Sequence, residues 1–190
     1  YGGIYDPLVP MELFEEQTDD ALSNISQEVI KTLQFSLPEL EEDVFQQLAE
    51  DVHAVQRLLD NSKVVVIQGV GGSGKTTLVA AISRDENTSA KYRGGIFGLY
   101  SRNIYDEASL AEALSNIATQ LSDSATPTRD LAEAKRLLRA ALGTRTCLIV
   151  IDGLDEVTEQ FGTRPILSSL DILRESSSDL LVTSRHTIAD

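Results

Sequence analysis

Apolar residues along this chain fall into two periods. Four runs are short and continuous: Val64-Val65-Val66-Ile67-Gln68, Ile96 to Tyr100, Cys147-Leu148-Ile149-Val150-Ile151 and Leu180-Leu181-Val182-Thr183-Ser184. Such runs, bounded by turn residues, read as strands. Continuous rather than alternating hydrophobicity predicts strands buried on both faces, and we expect this of residues 64–68. Elsewhere the spacing is three and four. Leu22, Ile25, Val29 and Leu33 predict a helix over about 19–34, after a Gly- and Pro-containing linker at 1–17. Ser36-Leu37-Pro38-Glu39 matches a capping box. It predicts a second helix whose face carries Leu40, Val44, Leu48, Val52, Val55 and Leu59, ending at Asn61-Ser62. Further helices are expected from Leu78, around 110–121 and around 131–142, the last two separated by a loop containing Pro127. Strands alternating with helices imply an α/β fold of three layers around a parallel sheet, and we expect the 64–68 strand at its centre.

Composition and charge narrow the partners. Hydrophobic residues make up 42% of the 190, enough to build a core. Residues 1–63 hold 14 acidic and 3 basic side chains, so much of the net charge of −14 sits in the N-terminal third. An acidic surface without a basic stripe predicts no nucleic-acid partner. Glu39, Glu41, Glu42 and Asp43 fit a helix N-terminus, where the dipole favours negative charge. The single cysteine, Cys147, opens an apolar run and reads as a small buried hydrophobe. No stretch approaches the roughly 20 apolar residues that span a bilayer, and no signal-peptide pattern opens the chain. No membrane partner and a cytoplasmic setting are therefore expected.

The segment Gly69-Val70-Gly71-Gly72-Ser73-Gly74-Lys75-Thr76 satisfies G-x-x-x-x-G-K-[ST] and lies between a predicted strand and a predicted helix. Glycines let several backbone N–H groups converge on a phosphate, and the helix N-terminus adds its positive end. Lys75 is expected on the β- and γ-phosphates, the Thr76 hydroxyl on Mg²⁺, and Thr77 near the α-phosphate. The third strand runs into Asp152-Gly153-Leu154-Asp155-Glu156. Ligands of parallel α/β sheets sit beyond the carboxyl ends of the strands, so Asp152 is a candidate Mg²⁺ holder. Asp155 and Glu156 are both candidates to polarise an attacking water, and the sequence does not rank them. Thr183-Ser184-Arg185 ends the fourth strand with two hydroxyls and a guanidinium, and Arg185 is a candidate for sensing γ-phosphate charge. His53 and His186 have no partner at metal-binding spacing and read as structural or exposed.

Taken together, these three motifs resemble the STAND class of signalling ATPases, which includes the NACHT and NB-ARC families. Gly69 to Leu78 is similar to the phosphate loop of both, and Leu181 to Arg185 to the sensor 1 strand of either. Asp152-Gly153-Leu154-Asp155-Glu156 resembles the extended Walker B segment of NACHT proteins and departs from the paired aspartates usual in NB-ARC proteins. The resemblance covers about residues 39–190, leaving 1–38 as an acidic linker and helical segment. It implies ATP or ADP with Mg²⁺ as ligands and a nucleotide-gated switch. In such a switch ADP holds a closed monomer, and exchange for ATP permits self-association and signalling in innate immunity or cell death. Slow ATP hydrolysis would then be a timer. The family's fifth core strand, helical lid and winged helix are not recognisable before Asp190, so the chain reads as incomplete at its C-terminal end. Two alternatives stay open: a turnover enzyme such as a small-molecule kinase or ATPase, and an inactive scaffold that retains the fold.

Overall fold

The computed structural model describes residues 37–100, 103–122, 125–143, 145–156, 166, 169, 171–173 and 175–185. The helix expected over 19–34, the linker before it and His186 lie outside the described residues.

Helices α1 (Glu42–Gln47) and α2 (Ala49–Asn61) lead into strand β1 (Val64–Gln68). The capping box expected at 36–39 does not start the first helix. α1 begins three residues later, after Glu41, without a side-chain cap. Leu37 instead turns its side chain into the core. A tightened turn at Leu48, whose N–H reaches both Val44 O and Phe45 O, divides the expected single helix in two. The apolar face of α2 is as expected, with Val52, Val55 and Leu59 buried and His53 exposed.

Helix α3 (Lys75–Arg84) follows the Gly-rich loop. Helix α4 (Glu86–Lys91) was not evident from periodicity; Asp85 caps it by accepting the Thr88 N–H at 3.0 Å. Strand β2 (Gly95–Tyr100) precedes α5 (Glu107–Leu121), which Asp106 and Ser109 cap reciprocally. Helix α6 (Leu131–Leu142), strand β3 (Cys147–Asp152) and strand β4 (Asp179–Ser184) complete the described elements.

The sheet is parallel throughout, in the order β1-β4-β3-β2. Side chains alternate across it, as the pleat requires. Leu148, Val150, Leu181 and Val65 face α2 and α3, whereas Ile149, Ile151, Leu180 and Val182 face α5 and α6. Cys147 is fully buried, and burial pushes its thiol upward, as expected for a packed hydrophobe.

Two expectations for β1 are corrected. It lies at the edge of the described sheet, not at its centre. It is also buried on one face only: Val65 is inside while Val64 and Val66 are 48% and 44% exposed. An edge strand has a neighbour on one side, and the α5–α6 layer covers the sheet further across. A run of apolar residues cannot report that.

Opposite the Gly-rich loop, Asp179 ties the elements together. Its buried carboxylate accepts the Tyr92 hydroxyl at 2.8 Å and pairs with Lys63 and Lys91. Lys91 also donates to Leu59 O at the end of α2. The helical lead-in is thus fixed to the sheet from which the loop departs.

Candidate functional site

Strand register brings the candidate residues to one end of the sheet. Ile67 is level with Thr183 and Ile151 with Val182, so Asp152 comes beside Thr183. The Gly69 N–H extends the β1–β4 ladder by one bond, to Ser184 O at 3.2 Å. From there the chain turns through Gly71 and Gly72 into α3.

Gly72 and Gly74 have φ of 77° and 85°, the left-handed region in which a Cβ is strained. A Cβ at either would meet nothing within 4 Å. These glycines therefore serve the backbone's path and leave the concave side of the loop open. Gly74 is also the N-cap of α3 and offers no side-chain cap, so the first-turn N–H groups of Lys75, Thr76 and Thr77 are available to an anion. Residues 70–74 are exposed, Val70 and Ser73 among them. Lys75 Nζ donates to Gly69 O at 2.7 Å and to Val70 O at 3.0 Å, which holds its charge over the same loop.

Thr76 and Asp152, from α3 and β3, meet beneath the loop. The Thr76 hydroxyl donates to Asp152 Oδ2 at 2.8 Å. Asp152 Oδ1 accepts the Thr183 hydroxyl at 2.5 Å, and Thr183 in turn accepts the Gly153 N–H at 2.8 Å. This donor set fits Mg²⁺: one hydroxyl that keeps its lone pairs and one carboxylate, both hard oxygens. The ion is usually held by one or two such groups with phosphate oxygens and water completing the shell. Accordingly, no cluster of three or more His, Cys, Asp or Glu side chains that could hold a metal by itself occurs among the described residues.

Asp155 and Arg185 form a second pair across the ends of β3 and β4. Asp155 is 8% exposed. Its carboxylate accepts the Arg185 backbone N–H at 3.0 Å, and the guanidinium Nε as well. Burial alone would push the Asp155 carboxyl up. The hydrogen bonds from the Arg185 side chain and backbone, with its charge, outweigh burial and hold the carboxyl below its ordinary value. Glu156 is exposed and lies one turn-residue further on, its N–H on Gly153 O.

The candidates from the sequence therefore fall in two groups at one sheet end, Gly69 to Thr77 with Asp152 and Asp155 with Arg185, while Glu156 stands exposed outside both. What sequence reasoning missed is the part played by Thr183. It stood out only as a hydroxyl at a strand end, and only the pairing of β3 with β4 reveals which carboxylate it meets. A cavity of about 330 Å³ lies elsewhere, lined by residues 97–100 and the α5 face. It contains none of these residues.

Among solved structures, the chain resembles a Drosophila ORC structure bound to DNA. The two are 18% identical with a TM-score of 0.53, over all of this chain and 48% of that one. This chain thus spans about half the length of that relative, and the likeness is one of fold. Two Drosophila ORC structures with DNA and Cdc6 are more distant, at 12% and 14% identity. Their TM-scores are 0.47 and 0.38, over 31% of each chain. No curated protein sequence matches. No helix among the described residues is long and apolar enough to cross a membrane. The sequence profile of the NACHT domain matches residues 63–190, a span that includes the glycine loop, Asp152, Asp155 and Arg185. This chain belongs to the NACHT domain family of P-loop NTPases.

Proposed function

We propose that this chain is the nucleotide-binding switch of a STAND-type signalling ATPase in the cytoplasm. It takes ATP or ADP with Mg²⁺, hydrolyses ATP slowly, and through its nucleotide state controls self-association of the protein to which it belongs. Defence or cell-death signalling is the process that the family relationship suggests. One observation carries the reading: Thr76, in the first turn after an open glycine loop, is hydrogen-bonded at 2.8 Å to the carboxylate ending a neighbouring strand. That pairing of a hydroxyl and an acid at the floor of an anion site is what an Mg²⁺–phosphate ligand requires.

In this reading the loop from Gly69 to Thr77 holds phosphate oxygens through the N–H groups of the first turn of α3 and the Lys75 ammonium, and Thr76 and Asp152 hold the metal. Mg²⁺ would neutralise charge on the terminal phosphates. Glu156, exposed beside this end of the sheet, is the better candidate to orient a water. Asp155, committed to Arg185, acts as a positioning residue for the guanidinium that senses the γ-phosphate. A net charge of −14 favours nucleotide over nucleic acid as the phosphate-bearing ligand.

The test is thermal melting with ADP or ATP, with and without Mg²⁺, beside Lys75→Ala. At ~100 times Kd a ligand stabilises by about 2.7 kcal/mol, which raises Tm by roughly 5–10 °C in a domain of this size. The shift should vanish in Lys75→Ala. A cooperatively melting wild type that shifts with neither nucleotide would refute the reading and favour an inactive scaffold.

A further inference from the structure

Thr183 is 1% exposed and makes two bonds whose polarity is forced. Its Oγ1 accepts the Gly153 N–H at 2.8 Å, and an amide can only donate. Its single proton therefore goes to Asp152 Oδ1, at 2.5 Å. Gly153, with φ of 83°, turns its N–H back toward β4, a conformation that few other residues adopt. With Oδ1 occupied, Oδ2 is the oxygen presented to Thr76, whose hydroxyl donates to it at 2.8 Å.

We propose that Thr183 is a positioning residue that sets the Mg²⁺ affinity of the site by fixing the rotation of the Asp152 carboxylate. This rests on the Mg²⁺–nucleotide reading given above. The carboxyl torsion of an aspartate is broad and nearly two-fold, so a strand-end Asp does not by itself present one chosen oxygen. Thr183 supplies the missing restraint, and Gly153 fixes Thr183 in turn. Two threonines from different elements thus hold the two oxygens of one acid. Thr183 keeps Oδ1 occupied, and Thr76 keeps its lone pairs turned away from Asp152, where a cation could use them. Partners that orient a metal-binding group in this way typically change metal affinity by roughly 10–100-fold when removed.

Valine has the shape of threonine without the hydroxyl, and serine keeps the hydroxyl without the methyl. The experiment uses the full chain as wild type, Thr183→Val and Thr183→Ser, with a melt of each to verify folding. A fluorescent ADP analogue is titrated in EDTA, and Mg²⁺ is then titrated into the ADP-saturated protein. Thr183→Val should raise the half-saturating Mg²⁺ concentration about 10–100-fold, with ADP affinity in EDTA held within about threefold. Thr183→Ser should restore Mg²⁺ affinity to near wild type. If Thr183→Val does not melt cooperatively, Thr183→Ala, which also lacks the hydroxyl and relieves any crowding, reads the same shift. A folded hydroxyl-free variant with wild-type Mg²⁺ dependence overturns the positioning role alone, as does one that loses ADP equally in EDTA. Wild type that binds no ADP under either condition overturns the nucleotide reading and this role together.

Discussion

Asp155→Asn keeps the shape of a buried side chain and removes its charge. Asp155 accepts two bonds from Arg185, one from the backbone N–H and one from Nε. The amide can accept one of these and turns an NH₂ toward the other. Hydrogen bonds to a charged group contribute roughly 1.5–3 kcal/mol, and breaking a fully buried pair costs about 3–5 kcal/mol. Here the Arg185 side chain is 38% exposed, so water compensates the guanidinium and the upper figures do not apply. We expect a loss of about 1–2.5 kcal/mol near neutral pH, or roughly 2–10 °C in Tm.

The pH dependence has a definite sign. The folded Asp155 carboxyl titrates below its ordinary 3.8. Its contribution is thus fully present above the unfolded value and is lost as pH falls through the folded one. The stability gap between wild type and Asp155→Asn should stay constant from about pH 8 to 5 and shrink below about pH 4. Urea denaturation at several pH values measures the gap. A double-mutant cycle with Arg185→Ala should return a coupling of about 1 kcal/mol or more. A variant as stable as wild type, or a gap that widens in acid, would refute the argument.

Two further outcomes follow from other parts of the molecule. Glu156→Gln should leave ADP-dependent stabilisation intact while lowering single-turnover ATP hydrolysis by about 10²-fold or more; unchanged hydrolysis would remove Glu156 from the chemistry. Burial, together with the hydrogen bond to Asp179 and its charge, raises the Tyr92 hydroxyl so far that it stays protonated at any working pH. Tyr92→Phe should cost about 1–2 kcal/mol in urea denaturation, because Asp179 keeps Lys63 and Lys91 as partners; no loss would show that the lysines suffice.

What could be read from the chain alone was whatever local order encodes. The glycine loop needs its residues consecutively, because one turn of backbone must converge on one phosphate, and Gly69 to Thr76 stood out for that reason. The four strands were legible because each is a continuous apolar run, and Asp152 because it ends one of them. Helix α2 was legible because its buried face recurs every three to four residues, whereas six-residue α4 is too short to show a period.

Strand order was not encoded locally. Apolar composition reports that a strand is buried, not which neighbours bury it, so β1 read as central although it lies at the edge of the described sheet. The same limit left Asp155 and Glu156 equivalent on paper. They are adjacent in sequence, yet one is buried on Arg185 and the other exposed, because only one of two successive side chains can face β4. Nor could Thr183 be assigned to Asp152 from 31 positions away: that contact exists only because β3 and β4 pair in one register. The sequence by itself determined which chemical groups the candidate site contains. The tertiary structure decided which of them meet, because hydrogen bonds between strand ends depend on pairing and register, and those are properties of the whole sheet.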